Sequence, residues 1–278
     1  MVPEHLDDGL DLATLAEGLD HVEGVCWDPV RRCVWAGGEA GQLYRVALDG
    51  TVAVDQVVPG AQFLGLALDG DGTLYCCDVG HGCVWRVEPG GGREQHGERL
   101  GYPNYPAFGP DGTLYVSDSG SFVEATGSIA AIAADGTTRR LALDGIAYAN
   151  GLAVHGDHLY YVESARPGVS RVALAGGATE EVVRMTRCVP DGLSFDENGA
   201  LYISCYQPNQ LWRLSPSGEL DCLLDDWTGE FVLSPTNTAF IGDDLDRLVL
   251  ASLCGHSLTS IDVGVSGAPV PRPLVRVS

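Results

Sequence analysis

Four oxygen-bearing side chains, Glu23, Asn104, Asn150 and Asp191, stand at the head of similar stretches: "EGVCWDP", "NYPAFGPDG", "NGLAVHGD" and "DGLSFDENG". Two carboxylates and two amide carbonyls include no nitrogen or sulfur donor of the kind that structural zinc sites use. They balance a divalent charge and leave coordination positions for water and substrate. That suits a hard cation, calcium first and magnesium or manganese second. An Asn or Asp before Gly is an ordinary turn former, and "Pro-Asp-Gly" at 190–192 reads as a tight turn in front of an alternating strand. Glu has no such preference, so its presence at the same point as the others argues for a shared task.

The elements that must position these residues are repeated. Copies of one unit begin at Glu23, Leu64, Asn104, Asn150, Asp191 and Thr236, separated by 41, 40, 46, 41 and 45 residues. Each reads as a short apolar segment, an Asp/Gly turn, a strand, a second loop and strand, then a further strand such as 51–58, 137–143 or 178–185. That period, with four strands per copy and no competing helical pattern, predicts an all-β, six-bladed β-propeller of four-stranded antiparallel blades. One domain is expected over residues 1–278. Kelch repeats are longer, and the WD-repeat signature is missing. Closing the ring requires an outer strand for the sixth blade from either "LDLATLAEG" near the N-terminus or the C-terminal "PRPLVRVS". The first residue of each copy starts the innermost strand and points at the common axis.

A formal charge of −22, from 38 acidic and 16 basic residues that are all Arg, repels a phosphate backbone and attracts cations. With no lysine, Schiff-base chemistry and a GKS/GKT phosphate loop are excluded. No apolar run reaches membrane-spanning length, and the acidic N-terminus lacks a signal-peptide pattern, so a cytoplasmic location without membrane contact is expected. Nine cysteines without a C-x-x-C pair read as free thiols packed as small hydrophobes.

The Glu-Gly of "HVEGVCWD", the Asn of "YPNYPAFGPDGTLYVSD", the "NGLAV" Asn and the Asp of "PDGLSFDENGALYIS" together resemble the gluconolactonase and senescence-marker-protein (regucalcin) family. Diisopropyl fluorophosphatase and the paraoxonases are its relatives. The resemblance spans the chain from about residue 15 onward. It implies a catalytic calcium, for which magnesium, manganese or zinc can substitute, held by Glu23, Asn104, Asn150 and Asp191. Sugar-lactone hydrolases of the family carry Arg two residues before the third-blade Asn and Asp directly after it; here these are Tyr102 and Tyr105. The substrate expected is therefore a small molecule less polar than a sugar lactone. The His that serves a second calcium in the phosphotriesterase branch is matched by Ala239, which removes that ligand.

Loops between the second and third strands of each blade return to the metal face and carry Glu39, His81, Asp118, Glu163, Tyr206 and His256. His81 and His256 are candidate proton shuttles. Tyr105, Tyr206 and Asn237 are candidate pocket wall, whereas Trp27, Trp35, Trp85 and Trp212 read as packing. The function expected is calcium-dependent hydrolysis of a lactone or related ester, with Asp191 as general base or nucleophile. Two alternatives remain: the same site recruited to cyclisation, isomerisation or epoxide opening, and a non-catalytic propeller binding a ligand or protein on its rim.

Overall fold

The structure is a computed structural model that describes residues 10–88, 91–141, 143 and 145–276. The ends of the expected 1–278 domain, 1–9 and 277–278, lie outside the described residues. Twenty-four strands form six four-stranded antiparallel sheets. The innermost strands are Gly24–Asp28, Phe63–Leu68, Pro103–Phe108, Ala149–His155, Val189–Phe195 and Pro235–Ile241. Each packs against the next and the sixth against the first, completing a six-bladed propeller. Among the described residues, no helix is long and apolar enough to cross a membrane.

Burial grades outward as a radial fold requires. Second strands such as Leu74–Asp78 are buried throughout, whereas the outer Val52–Val57 is mostly exposed. The core lies between faces of adjacent blades: Val34 and Val46 of the first blade meet Val249 and Leu258 of the sixth. All nine cysteines are free, and six are buried. Burial pushes the Cys33 and Cys83 thiols up to about 11, so they stay protonated and pack as apolar groups.

Of the two segments considered for ring closure, the N-terminal one is used. Asp11–Glu17 pairs antiparallel with Ser257–Asp262 as the outer strand of the sixth blade. The C-terminal segment runs instead across the face opposite the candidate site: Ala268 N donates to Phe195 O, Gly70 N to Pro273 O, and Val275 is buried against the second and third blades. Prolines 269, 271 and 273 suit an extended strap without ladder donors.

The heads of the inner strands differ from the turn that Pro-Asp-Gly suggests. Asp191 lies inside a strand, at a register irregularity between Pro190 and Leu193. Equivalent irregularities fall at Phe63/Leu66, Pro103/Pro106, Ala149/Leu152 and Pro235/Thr238. Five blades thus carry a bulge at the repeat's first residue, and a bulge re-aims a side chain, here toward the axis. Where a glycine follows the repeat's first residue, as at Gly24, Gly151 and Gly192, it permits close approach of the blades. A Cβ on Gly24 would stand 1.9 Å from Leu64 O, one on Gly151 2.1 Å from Asp191 O, and one on Gly192 2.6 Å from Thr236 O.

Candidate active site

Asn104, Asn150 and Asp191 are buried at the mouth of the central channel, with Glu23 partly open beside them. Asn150 Nδ2 donates to Asp191 Oδ2 at 3.0 Å, and Asn237 Nδ2 donates to Asp191 Oδ1 at 3.3 Å. Ser164 Oγ accepts from Asn150 Nδ2 at 3.1 Å and donates to Pro190 O at 2.7 Å, tying two neighbouring blades together. Thr236, the sixth copy's first residue, turns its hydroxyl to Glu23 O at 2.9 Å, which brings Asn237 rather than Thr236 to the carboxylate. Leu64 fills the second blade's place with an apolar side chain.

Facing the Asp191 carboxylate, both amides point their NH2 groups inward, which leaves Oδ1 of Asn150 and Asn237 without a partner. Asn104 Oδ1 is likewise buried and unpaired. Orphaned amide oxygens on Asn150 and Asn237 beside Asp191, with a third on Asn104 in the third blade's inner strand, make an oxygen-only set of candidate donors, and a buried acceptor without a donor is costly. A hard divalent cation fits this set. Among the described residues no group of three or more His, Cys, Asp or Glu is placed to hold a metal ion, so the fit rests on the amide oxygens as well as the two carboxylates. Electrostatics agree: burial, then Asp191 and Glu39, pushes Glu23 up to about 8, and burial pushes Asp191 up to about 7 against the opposing amide hydrogen bonds. Two carboxylates with no cation between them hold protons that a divalent ion would displace.

Residues 96–253 match the family model described as the SMP-30/Gluconolactonase/LRE-like region, more than half of the chain. The chain belongs to this family. No curated protein sequence matches the chain. Similar solved structures include a gluconolactonase from Xanthomonas campestris, 20% identical over 91% of this chain and 89% of that one, with TM-score 0.78. Another is regucalcin, a calcium-binding protein from Agrobacterium tumefaciens, 20% identical over 95% and 100%, with TM-score 0.77. Virginiamycin B lyase from Staphylococcus aureus is 15% identical over 92% and 100%, with TM-score 0.69. At these identities the likeness is one of fold.

Against this family background, the other residues singled out in the sequence separate into groups. Tyr102 stands half-buried at the mouth, where burial and then the Glu23 charge raise its pKa. Tyr206 does so too, raised by burial, Asp191 and Glu23, and it lines an open recess with Arg187, Asn209 and Trp227. Tyr105 is 8% exposed and packed with Ile129 and Leu152, walling the channel below the site rather than its mouth. His81 Nδ1 is held 2.6 Å from Asp78 Oδ2, which also accepts from Trp85 Nε1 at 2.7 Å, an arrangement internal to the second blade. His256 contacts Leu19 O and, edge-on at 4.5 Å, the ring of His21, whose Nδ1 lies 3.3 Å from Glu39 Oε2. Glu39 therefore joins the mouth through His21, a residue the repeat pattern did not single out.

Asp118 and Glu163 face the backbone rather than the axis. Asp118 accepts from Gly101 N and Tyr102 N at 3.1 and 2.7 Å, and Glu163 accepts from Ala147 N at 3.1 Å. Asp78 does the same for Gln62 N at 2.9 Å. In three successive blades an acid ending the second strand thus pins the segment leading into the inner strand. Below the site, Cys26, Ala67, Ala107, Ala153, Ser194 and Ala239 recur three residues after each copy's head. They leave a hollow of about 170 Å3, and Ala239 offers no ligand there.

Proposed function

We propose that the protein is a divalent-cation-dependent hydrolase of a lactone or related ester, with calcium as the first choice of ion. The observation that carries this reading is the group of Asn150, Asp191 and Asn237, with Glu23 raised by the Asp191 charge and the buried amide oxygens of Asn104, Asn150 and Asn237 left unpaired. Glu23, Asn104, Asn150 and Asp191 would hold the cation, and Asn237 adds a further oxygen and a hydrogen bond to Asp191. A bound divalent ion supplies Lewis-acid polarisation of the ester carbonyl. Asp191 acts on the substrate, either taking the proton of the attacking water or attacking the carbonyl carbon itself. The amides of Asn150 and Asn237 hold its two oxygens in one orientation for both roles. The family's neighbours named gluconolactonase and regucalcin support a lactonase-type activity and a calcium site. Tyr102 at the mouth favours a small substrate less polar than a sugar lactone.

The test is turnover of a panel of lactones and simple esters in calcium by wild type and Asp191→Asn. Wild type hydrolyses at least one lactone, and the variant, still folded by circular dichroism, loses about 10²–10⁴-fold in kcat. Full turnover by Asp191→Asn would remove both roles assigned to Asp191. A second reading keeps the site and makes the step non-hydrolytic; it is favoured by the same fold serving a lyase that acts on virginiamycin B. It predicts no turnover of any lactone in the panel by the calcium-loaded protein.

A further inference from the structure

The channel mouth is chemically divided. On the side of the sixth and first blades stand His256, His21 and Glu39. Across the axis, on the third and fourth blades, stands an aromatic group. The Tyr148 ring lies 6.2 Å from that of Tyr102 and 5.0 Å from that of Phe122. Tyr148 is held at φ 62°, a left-handed conformation that a bulky non-glycine residue adopts at a cost. Such strain persists where the surroundings impose it. They do so here: Ala147 N is fixed on Glu163, and Ser164 N donates to Tyr148 O.

Phe122 is 46% exposed and Val123 94% exposed, on the segment between the second and third strands of the third blade. That segment is built rather than loose. Ser121 N donates to Thr126 Oγ1, Ser121 Oγ accepts from Val123 N and Glu124 N, and Gly127 N donates to Ile146 O. Large apolar side chains on a braced loop beside buried carboxylates have the character of a binding surface.

We propose that Phe122, Tyr148 and Tyr102 form an aromatic clamp that selects a substrate carrying an uncharged planar aromatic ring fused to its ester group, as in an aryl-fused lactone. This rests on the lactone or ester reading above and narrows its substrate class. The ring stacks on or meets the edge of Tyr148 and Phe122, while the ester reaches the Glu23–Asp191 pair at the axis. An anionic ligand is disfavoured by those carboxylates and by the net charge of −22.

The test is equilibrium binding by calorimetry, comparing dihydrocoumarin with ring-free δ-valerolactone on the wild-type protein held in chelator, where the proposed function predicts no turnover. Phe122→Ala, at an exposed position that does not threaten folding, and Tyr148→Leu are made in the same background. Dihydrocoumarin is expected to bind about tenfold tighter than δ-valerolactone, and either substitution should bring that ratio to near one while leaving δ-valerolactone unchanged. Equal affinities for the two lactones, or a ratio that survives both substitutions, would overturn the clamp. Turnover by the wild type is scored separately: selective binding without turnover keeps the clamp and removes the hydrolase reading, and turnover of both lactones at equal kcat/KM does the reverse.

Discussion

At the residue scale, the site is a pair of carboxylates that the fold brings together without a compensating positive side chain. Their ordinary values, 4.5 for Glu23 and 3.8 for Asp191, rise to about 8 and about 7 in the folded protein free of cations. Between those ordinary values and about pH 8 the folded protein holds protons that the unfolded chain has released. This contribution is fully present below about pH 4 and is lost as pH rises through the folded values. Thermal melts in chelator should therefore show a melting temperature falling from pH 5 to pH 8.5 in wild type, with a shallower fall in Glu23→Gln. Parallel slopes for the two proteins would mean that Glu23 is not raised as described. Asn237 shows how much of this scale sequence hides. It reads as pocket wall beside Thr236, yet it is the second amide on Asp191, because the Thr236 hydroxyl is turned to Glu23 O and the next residue meets the carboxylate.

At the element scale, the bulged heads of five inner strands, and the glycine behind Glu23, Asn150 and Asp191, determine where the candidate donor oxygens sit. In Asn-Gly and Asp-Gly the side chain is needed at the axis, and the hydrogen in place of Cβ is needed against the next blade. Gly151→Ala is predicted to cost at least about 2 kcal/mol, since a methyl group would collide with the backbone of Asp191, and to weaken calcium binding with it. Gly112→Ala, on an open turn at φ 90° with nothing within 4 Å, should cost only about 1 kcal/mol and leave calcium binding intact. Urea unfolding and calcium calorimetry on both variants check the contrast. A smaller loss for Gly151→Ala than for Gly112→Ala would contradict the close approach.

The blade period, the strand count and the burial of Asn104, Asn150 and Asp191 in the inner strands were legible in the sequence because the unit repeats along the chain at 40 to 46 residues. The bulges were not, because a turn and a bulge favour the same Asp, Asn and Gly. Nor were the tasks of Asp78, Asp118 and Glu163, each of which bonds a backbone about 16 residues away across two strands. Their partners depend on inter-strand register, which hydrophobic alternation does not specify to the atom.

At the scale of the whole molecule, closure by Asp11–Glu17 makes the first described strand part of the last blade, so the ring is sealed by a contact between distant parts of the chain. The proline-bearing strap crosses the opposite face, and the candidate donor oxygens, the histidine pair and the aromatic group lie on the other. A net charge of −22 draws cations toward the molecule. The central claim is that a cation held by Glu23, Asn104, Asn150 and Asp191 enables hydrolysis. Its most direct test is lactone turnover measured in one sample before chelation, after chelation and after calcium is restored at constant ionic strength. The account predicts activity that disappears with chelator and returns with calcium, together with a melting temperature that falls and recovers in step. Turnover that persists unchanged through chelation would contradict it.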